Sequence, residues 1–137
     1  MSAPFADIRA AFTTKLMALS PLPSIAWENV AFTPVIGTSY LQPFLLPGEP
    51  YQAEIGEAGQ NRHTGIYQVS IYAPTGSGVG DINTLAGTIC DHFKRGTVLT
   101  YSTTTLTIKK AFLGPMMTDT DWLHLPVTIQ YHLLAAN

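Results

Sequence analysis

The run from Trp122 to Leu134 limits the possible folds more than any other part of the chain. In it Leu123, Leu125, Val127, Ile129, Tyr131 and Leu133 alternate with His124, Thr128, Gln130 and His132. A period of two sends the first set to one face of a strand and the second to the other. A strand with one wholly apolar face needs sheet neighbours and a layer of structure over that face. Pro126 falls in the polar register and lacks an N–H, so on one side its neighbouring strand must be absent or bulged.

Two segments carry helical periodicity instead. From Ala3 to Leu19, the residues Phe5, Ile8, Phe12, Leu16 and Leu19 recur every three or four positions, with Pro4 in the first turn and Pro21 and Pro23 beyond the end. From Asp81 to Arg95, the stripe is Ile82, Leu85, Ala86, Ile89 and Phe93. Asp81 suits the N-cap, Lys94 and Arg95 suit the C-terminal dipole, and Gly96 can close the helix. Gly87 costs this helix about 1 kcal/mol against Ala, a cost that close packing on a sheet would explain. Strands are expected at Ile25–Thr33, Ser39–Leu46, Gly65–Ala73, Val98–Tyr101 and Thr103–Leu113, with a turn at Ser102–Thr104. The order predicts an α+β fold, a mostly antiparallel sheet with two helices packed on one face, as one domain over residues 1–137. Leu125, Val127, Ile129 and Tyr131 should lie under Ile8, Phe12, Leu85 and Ile89. Pro47–His63 reads as a long polar loop, and loops of that length usually carry function.

Only 12% of residues are charged, against about 25% in typical soluble domains. A surface so poor in charge suits a subunit partly covered by others. The net charge of −2 and the lack of any run of Lys or Arg beyond Lys94-Arg95 and Lys109-Lys110 argue against a dedicated nucleic-acid binder. One cysteine, Cys90, excludes an intrachain disulfide. With neither a signal-peptide pattern nor an apolar run long enough for a membrane span, the expectation is a soluble chain made inside a cell.

Catalytic motifs are missing. The stretch Pro74-Thr75-Gly76-Ser77-Gly78-Val79-Gly80 follows a strand and opens a helix, but it lacks the lysine of a P-loop and continues into Asp81, which would repel phosphate. It reads as a strand-to-helix connection, and it is no nucleophile elbow. His124 and His132 stand about 26 Å apart at the rise of a strand, too far to share a metal ion. His63, His92, His124 and His132 are expected to be solvated or hydrogen-bonded surface groups. Cys90 and His92 diverge on their helix, so Cys90 reads as a packing residue. Glu54 and Glu57 read as solvated charges. No cofactor, metal or catalytic residue is expected.

The first helix, the Ile25-Ala26-Trp27-Glu28-Asn29 strand and the Tyr67-Gln68-Val69-Ser70-Ile71-Tyr72-Ala73-Pro74 strand come first in order. The glycine-rich loop, the helix ending Phe93-Lys94-Arg95-Gly96 and the long last strand follow. Over nearly the whole chain this series resembles the tail terminator (tail completion) proteins of phages with long non-contractile tails. The resemblance implies a non-enzymatic virion tail protein, assembled in the host cytoplasm as a homo-oligomeric ring, a hexamer. Such a ring caps the tail tube, ends its polymerisation and meets the head–tail connector proteins. Genomic DNA passes through its lumen without specific binding, and no membrane is involved. The alternatives are a tube subunit, a head–tail joining protein or, farther off, a small hydrolase or nucleotide-binding enzyme.

Two sets of contact candidates follow. Glu49, Glu54, Glu57 and Arg62 concentrate charge in the expected loop, where charge would set register and partner choice. His124, Thr128, Gln130 and His132 form the outward face of the last strand.

Overall fold

The computed structural model describes residues 5–19, 23–28, 30–34, 37–48, 51–52, 60–76, 80–118 and 121–136. Helix α1 (Phe5–Met17) is followed by β1 (Ser24–Ile25), β2 (Tyr40–Pro47), β3 (Tyr51–Gln52) and β4 (Gln60–Pro74). Then come α2 (Gly80–His92), β5 (Val98–Tyr101), β6 (Thr104–Leu113), β7 (Met117–Thr118) and β8 (Trp122–Ala136). The sheet runs β1-β2-β4-β8-β6-β5, with β3 beside β4 beyond the end of β2 and β7 beside β8 beyond the end of β6. The β1–β2 pair is parallel and the other described pairs are antiparallel.

The alternating run predicted for Trp122–Leu134 is the middle of this sheet. Strand β8 pairs with β4 from Trp122 to Ala136 and with β6 from Val127 to His132. Its apolar face is the core: Leu125, Val127, Ile129 and Tyr131 are 3%, 0%, 0% and 1% exposed, and Ile8, Phe12 and Ile89 close over them at 0%. Leu85 is half-buried at the margin. Phe12 stacks on Tyr67 of β4 at 4.5 Å and meets Tyr131 of β8 edge-on at 5.4 Å. Burying each such side chain stabilises the fold by about 1.5–3 kcal/mol. Polar ties fix the helices: Thr104 Oγ1 donates to Asp7 (2.8 Å), Arg9 pairs with Glu28, and the His92 ring bonds the Lys15 carbonyl in the last turn of α1 (2.6 Å).

Pro126 behaves as its missing donor requires. Gly114 N–H bonds the Pro126 carbonyl (2.8 Å), so the prolyl nitrogen also points toward β6. On that side the ladder lapses between Leu113↔Val127 and Met117↔His124.

Several expectations are corrected. The strand expected over Ile25–Thr33 lasts only through Ser24–Ile25. In a parallel ladder Ala26, whose N–H reaches the Leu41 carbonyl at 2.7 Å, would next accept from residue 43, and Pro43 has no N–H to give. The Pro47–His63 loop is partly strand: Tyr51–Gln52 pairs with Asn61–Arg62, and β4 begins at Gln60. The polar Gln60-Asn61-Arg62 has little intrinsic β preference and is held by pairing with β8 out to Ala136. Helix α2 begins at Gly80, which puts Asp81 in its first turn, and it ends at His92 before Gly96 turns the chain at φ 88°. The turn between β5 and β6 is the two residues Ser102–Thr103, with positive φ at Ser102 (56°). A Cβ on Gly87 would meet nothing within 4 Å, so sheet packing does not explain that glycine.

Candidate functional site

Both helices lie on one face of the sheet, which leaves the other to be built from the alternate residues of four strands. Cross-strand registers order this outer face into rows: Leu46–Ile66–Gln130–Lys110, Phe44–Gln68–Thr128–Phe112 and Tyr40–Tyr72–His124. Expected contact residues His124, Thr128, Gln130 and His132 all stand here, half-buried by their neighbours across the strands. They do not form one cluster. His124 and His132 sit at opposite ends of β8, with Thr128 between them.

The His124 end is aromatic. Tyr40 stacks on Tyr72 and Tyr72 on His124, each at 4.6 Å, while Trp122 meets Tyr40 edge-on at 5.1 Å. Phe32 packs on Tyr40 from the chain beyond β1 (5.1 Å). His124 is therefore not a solvated surface group. Its Nε2 is buried without a hydrogen-bond partner among the described residues, and burial lowers its pKa.

The His132 end is basic. Arg62, Lys109, Gln130 and His132 line an open groove of about 550 Å³, and this brings Arg62 from one expected set beside two members of the other. Arg62 Nη1 donates to His132 Nδ1 at 3.1 Å, which requires a neutral imidazole with its proton on Nε2. Burial first, then Arg62 and Lys109, lower the His132 pKa. Lys109 projects where a β-bulge interrupts β6 between Ile108 and Lys110. Glu49, Glu54 and Glu57 lie outside the described residues.

The remaining predicted groups resolve separately. His63 was expected at the surface, yet it faces the core at 5% exposure, edge-on to Phe5 (5.8 Å), and burial lowers its pKa. His92 is hydrogen-bonded as expected. Cys90 packs at the margin of the core, and burial, then Asp91, push its thiol up. Ser77, Gly78 and Val79 of the glycine-rich connection lie outside the described residues. Among the described residues no three of His, Cys, Asp and Glu stand together as a metal site, and no helix is long and apolar enough to cross a membrane.

Sequence reasoning missed a second opening, an aromatic-walled groove of about 720 Å³ between residues 26–34 and the outer part of β2. The signal was present in Trp27, Phe32, Pro34 and Pro43, but they read as parts of two regular strands.

Comparison with known proteins bears on the chain as a whole. The profile of the phage tail terminator protein family matches residues 7–131. One solved structure has 22% identity and a TM-score of 0.75, covering 99% of this chain and 97% of its own. A chain in the virion of a native gene transfer agent particle has 15% identity and a TM-score of 0.65, covering 98% of this chain and 100% of its own. No curated protein sequence matches the chain. The family match spans most of α1, all of α2 and most of the sheet, so the chain belongs to the phage tail terminator family and is a structural protein of the virion tail.

Proposed function

We propose that this protein, acting as one domain over residues 1–137, assembles into a hexameric ring that caps the finished tail tube. The ring stops tube polymerisation and offers the head–tail connector a surface, with DNA passing through its lumen. Its role is mechanical and not enzymatic. The observation that carries this reading is the outer sheet face. It is broad and left open by both helices, and its charges among the described residues are Arg62, Lys109 and Lys110, the last with its ammonium 5.0 Å over the Phe112 ring. An antiparallel sheet with one solvated face normally alternates apolar residues inward and polar residues outward, whereas this outward face also carries Phe44, Ile66, Tyr40, Tyr72 and Phe112. Flat polar and aromatic groups with so little charge suit a surface that other subunits cover. A chain of the same fold inside a gene transfer agent virion supports a place in a virion.

On this reading His124, Thr128, Gln130 and His132 face a neighbour or the tube, and Glu49, Glu54, Glu57 and Arg62 set register. The test is assembly on purified tail tubes, followed by electron microscopy and head joining. A single ring at one tube end, with joining restored, is expected. Thr128→Lys should lose capping, and removal of residues 54–59, which spares β4, should weaken it. Protein that stacks on itself into tubes would make it a tube subunit and overturn the cap.

A further inference from the structure

The fold leaves apolar surface on two opposite sides of the sheet. One side is a knob. Beyond Ile108, which still bonds Gly96 and Thr97, strand β6 has no partner on its outer side among the described residues and becomes the edge. There Phe112, Leu113, Met116 and Met117 are 39%, 44%, 37% and 49% exposed, and no charge occurs from Ala111 to Thr118. The other side is the groove at the β2 edge, a socket of about 720 Å³ walled by Trp27, Val30, Phe32, Tyr40 and Phe44. Its one charged residue, Glu28, is engaged by Arg9 and by the Leu45 N–H.

Knob and socket stand at one level along the strands. Phe44 of the socket pairs across to Gln68, Gln68 to Thr128, and Thr128 to Phe112 of the knob. Two different patches on opposite edges meet head to tail, and such contacts close into a ring when the rotation brings no rise. A shared level is the geometry for rotation about an axis parallel to the strands. A patch that met its own copy would stop at a dimer.

We propose that the Phe112–Met117 knob of one subunit seats in the Trp27–Phe32–Tyr40 socket of the next, making the lateral contact of the ring. The proposal rests on the ring reading above and adds which surfaces form it. Methionine side chains adapt to irregular apolar walls, and their sulfur contacts with aromatic rings are favourable. The occupant is a second copy because one chain carries both halves of the match, whereas a tube or connector protein would need only one.

Met117 and Val30 are 49% and 59% exposed, so a charge at either leaves the fold intact, which a melting curve verifies. Met117→Lys and Val30→Glu are made separately, and oligomer mass is measured in solution and on tail tubes. Each alone should raise the concentration for half-assembly about tenfold or more, because each buries an unpaired charge. A mixture of the two should assemble again, since in an even-numbered ring each introduced lysine faces an introduced glutamate at alternate contacts. Assembly of both variants as well as the wild type, or a mixture that does not recover, overturns the proposal. So does a Met117→Lys protein that keeps its ring and fails only to cap tubes. Wild-type protein that forms no ring, alone or on tubes, removes the ring reading itself, whereas wild-type rings indifferent to both charges remove only this contact.

Discussion

Gly65 and Gly87 show how differently two glycines can be spent. Gly65 pairs across the sheet with Tyr131, whose phenol covers it: a Cβ there would stand 2.5 Å from the Tyr131 hydroxyl and 2.9 Å from the Leu46 carbonyl. The phenol can swing, but the backbone carbonyl cannot. Gly65→Ala is expected to destabilise by about 1–3 kcal/mol as overpacking, read by denaturant unfolding. Gly87→Ala fills open space in a helix and is expected to stabilise by about 0.5–1 kcal/mol. The histidines argue a second residue-scale outcome. His63, His124 and His132 all have pKa values lowered from the usual 6.5, chiefly by burial. The folded chain resists protons that the unfolded chain accepts, so stability is full above the unfolded value and falls as pH drops through it. Tm should therefore decline between about pH 7.5 and about pH 5, and His63→Phe should flatten that decline. A Tm that rises over that interval would contradict the buried neutral imidazoles.

Strand β2 shows how an edge is made safe. In an extended strand the N–H groups of alternate residues share a side, and the Leu41 carbonyl, bonded by Ala26, marks residues 41, 43, 45 and 47 as facing the free edge. Pro43 and Pro47 have no donor, and the Leu45 N–H is taken by the Glu28 carboxylate at 2.7 Å. A bare row of donors would invite another strand. Glu28→Ala should cost about 1–3 kcal/mol through the lost charge-assisted bond and raise aggregation on heating, read by light scattering; an unchanged protein would remove Glu28 from this role. Nothing local in Ile25–Thr33 announced that contact, because its partner is Leu45. The same limit governed the rest of the molecule's legibility. The core strand Trp122–Leu134 and the helix stripes were readable, since period and burial coincide there. The start of β4 was not, because Gln60-Asn61-Arg62 is strand through pairing with β3 and with the end of β8. The outward set on β8 was legible as a face, but its division into an aromatic and a basic end depends on Tyr40, Tyr72, Arg62 and Lys109 arriving from other strands.

At the scale of the whole molecule, scarcity of charge and distribution of apolar surface belong together. Seven basic and nine acidic residues serve the entire chain, and none of the large side chains of the knob is among them. Surface ion pairs contribute little and are screened by salt, so a ring held by them should loosen as ionic strength rises. A contact between Phe112, Leu113, Met116 and Met117 and an aromatic-walled groove gains its free energy from apolar burial, which weakens on cooling and is strengthened by excluded salts. Assembly measured by sedimentation should therefore survive a rise from about 0.1 M to about 0.5 M NaCl, strengthen in sulfate, and show a negative heat-capacity change on association. The basic groove at Arg62, Lys109 and His132 is lined by none of the knob or socket residues, so tube or connector binding through it would respond to salt when the ring does not. Rings that dissociate as NaCl rises, in step with loss of tube binding, would place the lateral contact on charge and not on the apolar edges.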